Sequence, residues 1–182
     1  MRRPATTSWG SSADVGQLMA VGVERIETAS AAETEALGVR LAERLGPGDL
    51  VVVSGEVGAG KTTLIRGACR GLGITDPVTS PTFTIGQRYG GGRLPVSHLD
   101  FYRLANLEGE DPALLEDYLR PDSVAFVEWP AAGAERLGHP ALTVRMAHLD
   151  EGRRVVEVDR LSGSQRPPVA SADQESSQKG WT

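Results

Sequence analysis

The sequence predicts one α/β domain: a central, mainly parallel sheet with antiparallel strands, and helices on both faces. Three observations predict it. The run "LVVVS" at 50–54 is continuously apolar and β-branched, as in a strand buried on both faces of a parallel sheet. A glycine-rich turn follows it and opens an amphipathic helix. Further strand-like runs stand before and after the helical stretches, the order of a layered α/β sandwich. At 182 residues the chain is long enough for one such domain with a real core, and short for two.

The elements follow in order. "VGVERIET" predicts a first strand. "SAAETEALGVRLAERLGPG" predicts a helix: Ser30 and Glu33 have capping-box spacing, Leu37, Leu41 and Leu45 share one face, and Gly46, Pro47 and Gly48 end it. After "LVVVS" and the glycine turn, Leu64, Ile65, Ala68 and Leu72 give the buried side of a second helix. "TFTIGQRY", "GGG" and "RLPVSHLD" predict two strands joined by a turn. In "EDPALLEDYL", Asp111 can cap and Pro112 can take the first helical position, with Leu114, Leu115 and Tyr118 inward. "SVAFVEW" predicts a buried strand, and "ALTVRMAHLD" with "RRVVEVD" a closing hairpin around "EG". Residues 1–20 and 160–182 are rich in small and polar residues without a period, so they are expected to be a flexible extension and a disordered tail around a domain at 21–159.

Composition narrows the function classes. The hydrophobic share of 40% and charged share of 24% are ordinary for a globular domain. A net charge of -5 argues against a broad electrostatic footprint for DNA or RNA, which needs clustered Lys and Arg. Any RNA link is therefore expected to be indirect, or to depend on a partner. No apolar run is long enough for a membrane span, and no continuous apolar segment follows the first two arginines, so the cytoplasm is the expected compartment. Cys69, the one cysteine, stands at an apolar helical position and reads as a structural thiol.

The chemistry starts at "GEVGAGKT". Gly55 to Thr62 satisfy the Walker A pattern G-x-x-x-x-G-K-[ST]. Its glycines allow a tight turn whose N–H groups face phosphate oxygens, and the helix that follows adds the positive end of its dipole. The expected nucleotide contacts are Glu56, Val57, Gly58, Ala59, Gly60, Lys61, Thr62 and Thr63, with Lys61 on the β- and γ-phosphates and the Thr62 hydroxyl on Mg2+. The fold is thus expected to be P-loop NTPase-like. Such a site needs an acid at a neighbouring strand end. Glu128 closes "VAFVE" and Asp100 closes "PVSHLD", and each reads as a metal-linked or water-orienting acid, or as a turn carboxylate.

The loop does not select the machine. An N-K-x-D element for reading guanine is not found. A small-molecule kinase stays open, because Arg88, Arg93 or Arg103 could bind phosphates and Arg136, Arg145, Arg153 or Arg154 could supply a lid. A nucleotide-gated binding module, with negligible hydrolysis alone, stays open as well.

"SPTFTI", "HLDFYRL", "EDYL" and "VEWP", in that order after "GEVGAGKTT", resemble the bacterial TsaE (YjeE) family. The resemblance covers residues 33–129 strongly and the closing hairpin weakly. It implies a Mg2+-dependent ATPase of the apparatus that makes N6-threonylcarbamoyladenosine beside the tRNA anticodon. It implies TsaD and TsaB as partners, with ATP hydrolysis resetting the complex between turnovers and tRNA held by those partners. It also implies roles for residues: Lys61 and Thr62 in the phosphate and Mg2+ site, Thr82 as a switch residue near the γ-phosphate, Asp100 as a catalytic acid, Glu128 in the Mg2+-linked role with Trp129 beside it, and Thr34 lining the nucleotide pocket. Thr82 also reads as a turn residue, Trp129 as a half-buried aromatic, and His98 as a strand histidine. "LEGEDPALLEDYL" departs from the family's glycine-containing segment, and the C-terminal tail is extra.

Overall fold

The computed structural model describes residues 23–81, 84–101, 115–129 and 137–160. The expected extension at 1–20, the helix start at Asp111 and Pro112, and Thr82 lie outside the described residues. So does the expected tail from 161 onward, while Arg160 is the last residue of a strand.

The elements are β1 (Glu24–Thr28), α1 (Ala31–Ala42), β2 (Leu50–Gly55), α2 (Lys61–Gly71), β3 (Gly86–Tyr89), β4 (Val96–Asp100), β5 (Val124–Glu128), β6 (Leu142–His148) and β7 (Arg154–Arg160). The described strands form one seven-stranded sheet in the order β1-β7-β6-β2-β5-β4-β3. β6, β2, β5 and β4 run parallel at the centre. The flanks are antiparallel: β7 on β6, β1 on β7, and β3 on β4. β1 and β3 are the outer strands.

Local chemistry accounts for the helix boundaries. Ser30 caps α1, its hydroxyl accepting the Glu33 N–H at 3.2 Å. The Glu33 carboxylate reaches back to the Ala29 N–H at 2.8 Å, one residue earlier than in the usual capping box. The α-helix closes at Ala42, short of Leu45, because the chain tightens there: the Leu45 N–H bonds Ala42 O at 3.1 Å. Leu45 is still buried.

Alternation along the strands sends the side chains two ways. Val51, Val53, Val124, Phe126, Val144 and Met146 pack with Leu64, Ile65 and Ala68 of α2, with its C-cap Leu72, and with α1. Burying each of Leu64, Ile65 and Leu72 contributes ~1.5–3 kcal/mol. Leu50, Leu99, Ala125 and Val127 face the other way, under Leu115 and Leu137, with Tyr118 and Leu119 against them. The two helices described in full therefore cover the first face; on the second, the described cover is the helical pair Leu115 and Glu116, the turn that follows it, and Leu137.

α1 and α2 touch through glycines. A Cβ on Gly38 would stand 2.1 Å from Leu64 O, and one on Gly67 would stand 2.0 Å from Glu35 O. Only hydrogen fits at either position. Arg66 and Arg70 clasp Glu35 across the same seam, at 3.3 and 3.0 Å.

Candidate functional site

The loop between β2 and α2 is held at both ends. Gly55 has φ 141 and packs so closely that a Cβ would lie 2.0 Å from Met146 O. Gly60 caps α2 in the left-handed region, φ 99, where glycine carries no steric penalty. Between them Glu56, Val57 and Gly58 are exposed and Ala59 is buried. The arc ends on the α2 N-terminus, where free N–H groups and the helix dipole favour an anion.

Lys61 is only 5% exposed, although its side chain is charged. Its ammonium donates to Gly55 O at 3.1 Å and to Glu56 O at 2.9 Å, across the loop it follows. It also stands 3.7 Å from the centroid of the Trp129 ring. Burial pushes the Lys61 ammonium below its usual pKa, while the negative charges of Glu128 and then Asp100 pull it back up.

The two acids named from the sequence come together. β4 and β5 are parallel neighbours, and their register sets Asp100 beside Glu128. Val124, Phe126 and Glu128 alternate onto the α2 face, as do Val96, His98 and Asp100, so both carboxylates leave the sheet on the loop's side. Glu128 Oε1 accepts the Thr62 hydroxyl at 2.8 Å. The same oxygen lies 3.0 Å from His98 Nε2. Asp100 Oδ2 accepts the Ser80 hydroxyl at 2.8 Å. Trp129, the next residue along, sits at φ 54, the only described non-glycine residue with positive φ, and its N–H donates to Val53 O at 3.1 Å. A residue held in that region at a loop–strand junction is a common mark of a functional site.

Thr34 lies beneath the loop, fully buried. Its methyl would be 3.8 Å from a Cβ on Gly60, while its hydroxyl is spent on Thr28 Oγ1 at 2.9 Å and Ser30 O at 3.0 Å. Thr63 is half-buried in the first turn of α2. Thr82 follows Pro81, where the described segment ends. Val78, four residues earlier, has its carbonyl held by Arg66 Nε at 3.2 Å.

Two residues that sequence reasoning left out of the site belong to it. His98 was read as a strand histidine and Ser80 was not singled out, yet each bonds one of the acids. A signal was present for His98: it shares strand parity with Asp100, two residues on. Ser80 had none, since its reach to Asp100 depends on the path of 73–81.

Thr62 and Glu128 suit magnesium. Magnesium bound with nucleotide phosphates needs only one or two protein oxygens. The pair offers two hard oxygen donors 2.8 Å apart. Among the described residues no group of three or more His, Cys, Asp or Glu could hold a metal by itself. Among them, too, no helix is long and apolar enough to cross a membrane.

Comparison with known proteins gives the family. The sequence model of a family described as threonylcarbamoyl adenosine biosynthesis protein TsaE matches residues 28–156. The chain is 38% identical to the tRNA threonylcarbamoyladenosine biosynthesis protein TsaE of Bacillus subtilis over 129 residues, 71% of this chain and 80% of that one. It is 38% identical to the protein of the same name from Nostoc, across 79% of this chain and 90% of the relative. Against that of Streptomyces coelicolor it is 46% identical, across 60% and 76%. The crystal structure of Bacillus subtilus YdiB superposes with a TM-score of 0.64 at 30% identity, covering 79% of this chain and 90% of the other. With the family model over residues 28–156 and relatives this similar over most of their length, the chain belongs to the TsaE family.

Proposed function

We propose that this chain is the Mg2+-dependent ATP-hydrolysing component of the apparatus that makes N6-threonylcarbamoyladenosine in tRNA. The observation that carries the hydrolytic reading is the β4–β5 register, which sets Asp100 and Glu128 side by side at the edge where the loop lies. The tRNA context rests on family membership. In that context the chain works in the cytoplasm with TsaD and TsaB, and hydrolysis resets those subunits between turnovers. The acidic net charge of -5 suits a component that leaves the tRNA to its partners.

The residues divide the work as follows. The loop amides from Glu56 to Thr63 bind the phosphates, and the α2 dipole favours their charge. Lys61 leaves the Gly55 and Glu56 carbonyls to place its ammonium on the β- and γ-phosphate oxygens. Thr62 and Glu128 would hold magnesium, which would supply positive charge beside the phosphates. Glu128 is already engaged with Thr62, whereas Asp100 is oriented by Ser80, so Asp100 is the acid that orients the attacking water. Burial of Lys61 strengthens its pull on the developing charge, because little water screens it.

The test separates binding from chemistry. Lys61→Ala is expected to lose nucleotide binding. Asp100→Asn is expected to keep it and lose most phosphate release. Measured with and without TsaB and TsaD, phosphate release should rise in their presence. An Asp100→Asn protein that hydrolyses ATP like the wild type would remove its assignment. Turnover that depends on a small acceptor, itself phosphorylated, would replace the reading with a kinase.

A further inference from the structure

Glu128 is a long acid at a position where the shorter Asp is the commoner metal-side residue. The extra methylene adds a rotor, and a loose carboxylate would have to be ordered each time magnesium arrives. Something must fix it. Thr62 offers one bond, but in the proposed site its hydroxyl would also lend a lone pair to the metal, so it does not fix the carboxylate alone.

The second bond comes from His98. The ring is fully buried on β4, next to β5, with Nε2 3.0 Å from Glu128 Oε1. Its other nitrogen, Nδ1, is buried and has no hydrogen-bond partner. The carboxylate oxygen can only accept, so the proton sits on Nε2, and a proton on Nδ1 would be a donor with nothing to receive it. A histidine serving only as core packing would be better replaced by an apolar residue, since the bare Nδ1 costs desolvation and returns no bond. The one thing the ring supplies that a leucine could not is the Nε2–H on Glu128.

We propose that His98 is a positioning residue: its Nε2–H holds Glu128 Oε1 within reach of the Thr62 hydroxyl, so that the two magnesium-binding oxygens are set before nucleotide and metal arrive. The inference rests on the ATPase reading above and assigns that site its supporting residue. It acts on magnesium-dependent steps alone, because Lys61 and the loop amides bind phosphate without Glu128. Partners of this kind orient metal ligands, and their loss lowers metal affinity or activity by ~10–100-fold.

The test uses the full chain. Nitrogen-15 NMR of the histidine rings in wild-type protein should report the Nε2–H tautomer for His98. His98→Met and His98→Gln are then compared for affinity toward a fluorescent ATP analogue with and without magnesium, and for phosphate release. His98→Met should keep the magnesium-free affinity and lose ~10–100-fold of what magnesium adds, with phosphate release falling in step. His98→Gln, whose amide N–H can stand in for Nε2–H, should recover most of the loss. If His98→Met fails to fold, the tautomer and the glutamine variant decide. An Nδ1–H tautomer, or a His98→Met protein that gains from magnesium as the wild type does, overturns the inference alone. A wild type that binds no nucleotide overturns the ATPase reading and this inference with it.

Discussion

The Lys61 ammonium stands 3.7 Å from the centroid of the Trp129 ring while donating to the carbonyls of Gly55 and Glu56. A cation over an indole face is attracted by the ring quadrupole, more strongly where water is excluded. The same tryptophan is held at φ 54, a conformation that L side chains other than Asn and Asp rarely adopt. The backbone strain is local to a residue whose ring caps the lysine proposed to bind phosphate.

That strain can be measured apart from the ring. Trp129→Ala removes the ring and keeps the left-handed penalty, whereas Trp129→Gly removes both. The glycine variant should be more stable than the alanine variant by about 1 kcal/mol. Urea unfolding midpoints decide it, and equal midpoints would mean that the backbone relaxes once the indole is gone.

The α1–α2 seam predicts a large effect from a small change. Gly67→Ala drives a methyl into Glu35 O, and backbone cannot rotate away as a side chain can. Overpacking of this kind costs about 3 kcal/mol. The melting temperature should fall by about 6–12 °C. Thermal unfolding followed by circular dichroism checks this, and an unchanged melting temperature would show that the helices can part freely.

Cys69 reports on the core from within. Burial pushes its thiol pKa up to about 12 from 9.0. A raised thiol pKa means that the folded protein holds its proton where the unfolded chain releases it. The stabilisation is present below pH 9 and is lost as pH rises from 9 toward about 12. A chromogenic disulfide reagent should label no thiol in native protein near neutral pH and one after unfolding. Stability of Cys69→Ala should fall less steeply over that alkaline window than that of wild type.

Ser80 should matter to rate rather than binding. It holds Asp100 at 2.8 Å, so Ser80→Ala leaves the proposed water-orienting acid less ordered. Phosphate release should fall on the order of tenfold, the rate equivalent of one lost hydrogen bond. Nucleotide affinity should hold, and Ser80→Thr should recover part of the rate. A loss of affinity in Ser80→Ala with unchanged turnover would contradict the division of labour.

How much of this was legible in the chain depended on range. The Walker A pattern is written in eight consecutive residues, and β5 with Glu128 at its end in five, so local pattern was enough for both. The capping box of α1 was legible for the same reason. The bond from His98 to Glu128 crosses 30 residues and exists only because β4 and β5 are neighbours in a given register. No periodicity within one segment encodes that. The early close of α1 was hidden as well: Leu45 keeps the apolar spacing of a helix while its backbone bonds three residues back. Trp129 gave no local sign of its positive φ, which sets where the chain turns on leaving β5.

The outer strands limit how this protein can associate. β1 reads "ERIET", with Glu24, Arg25 and Glu27 exposed, and β3 spans four residues before three glycines. A charged border on one side and a stub on the other make poor templates for a foreign strand. Fibre-like growth by strand addition is thereby discouraged at both rims of the described sheet, which leaves its broad faces and its loop-bearing crest as the surfaces for association.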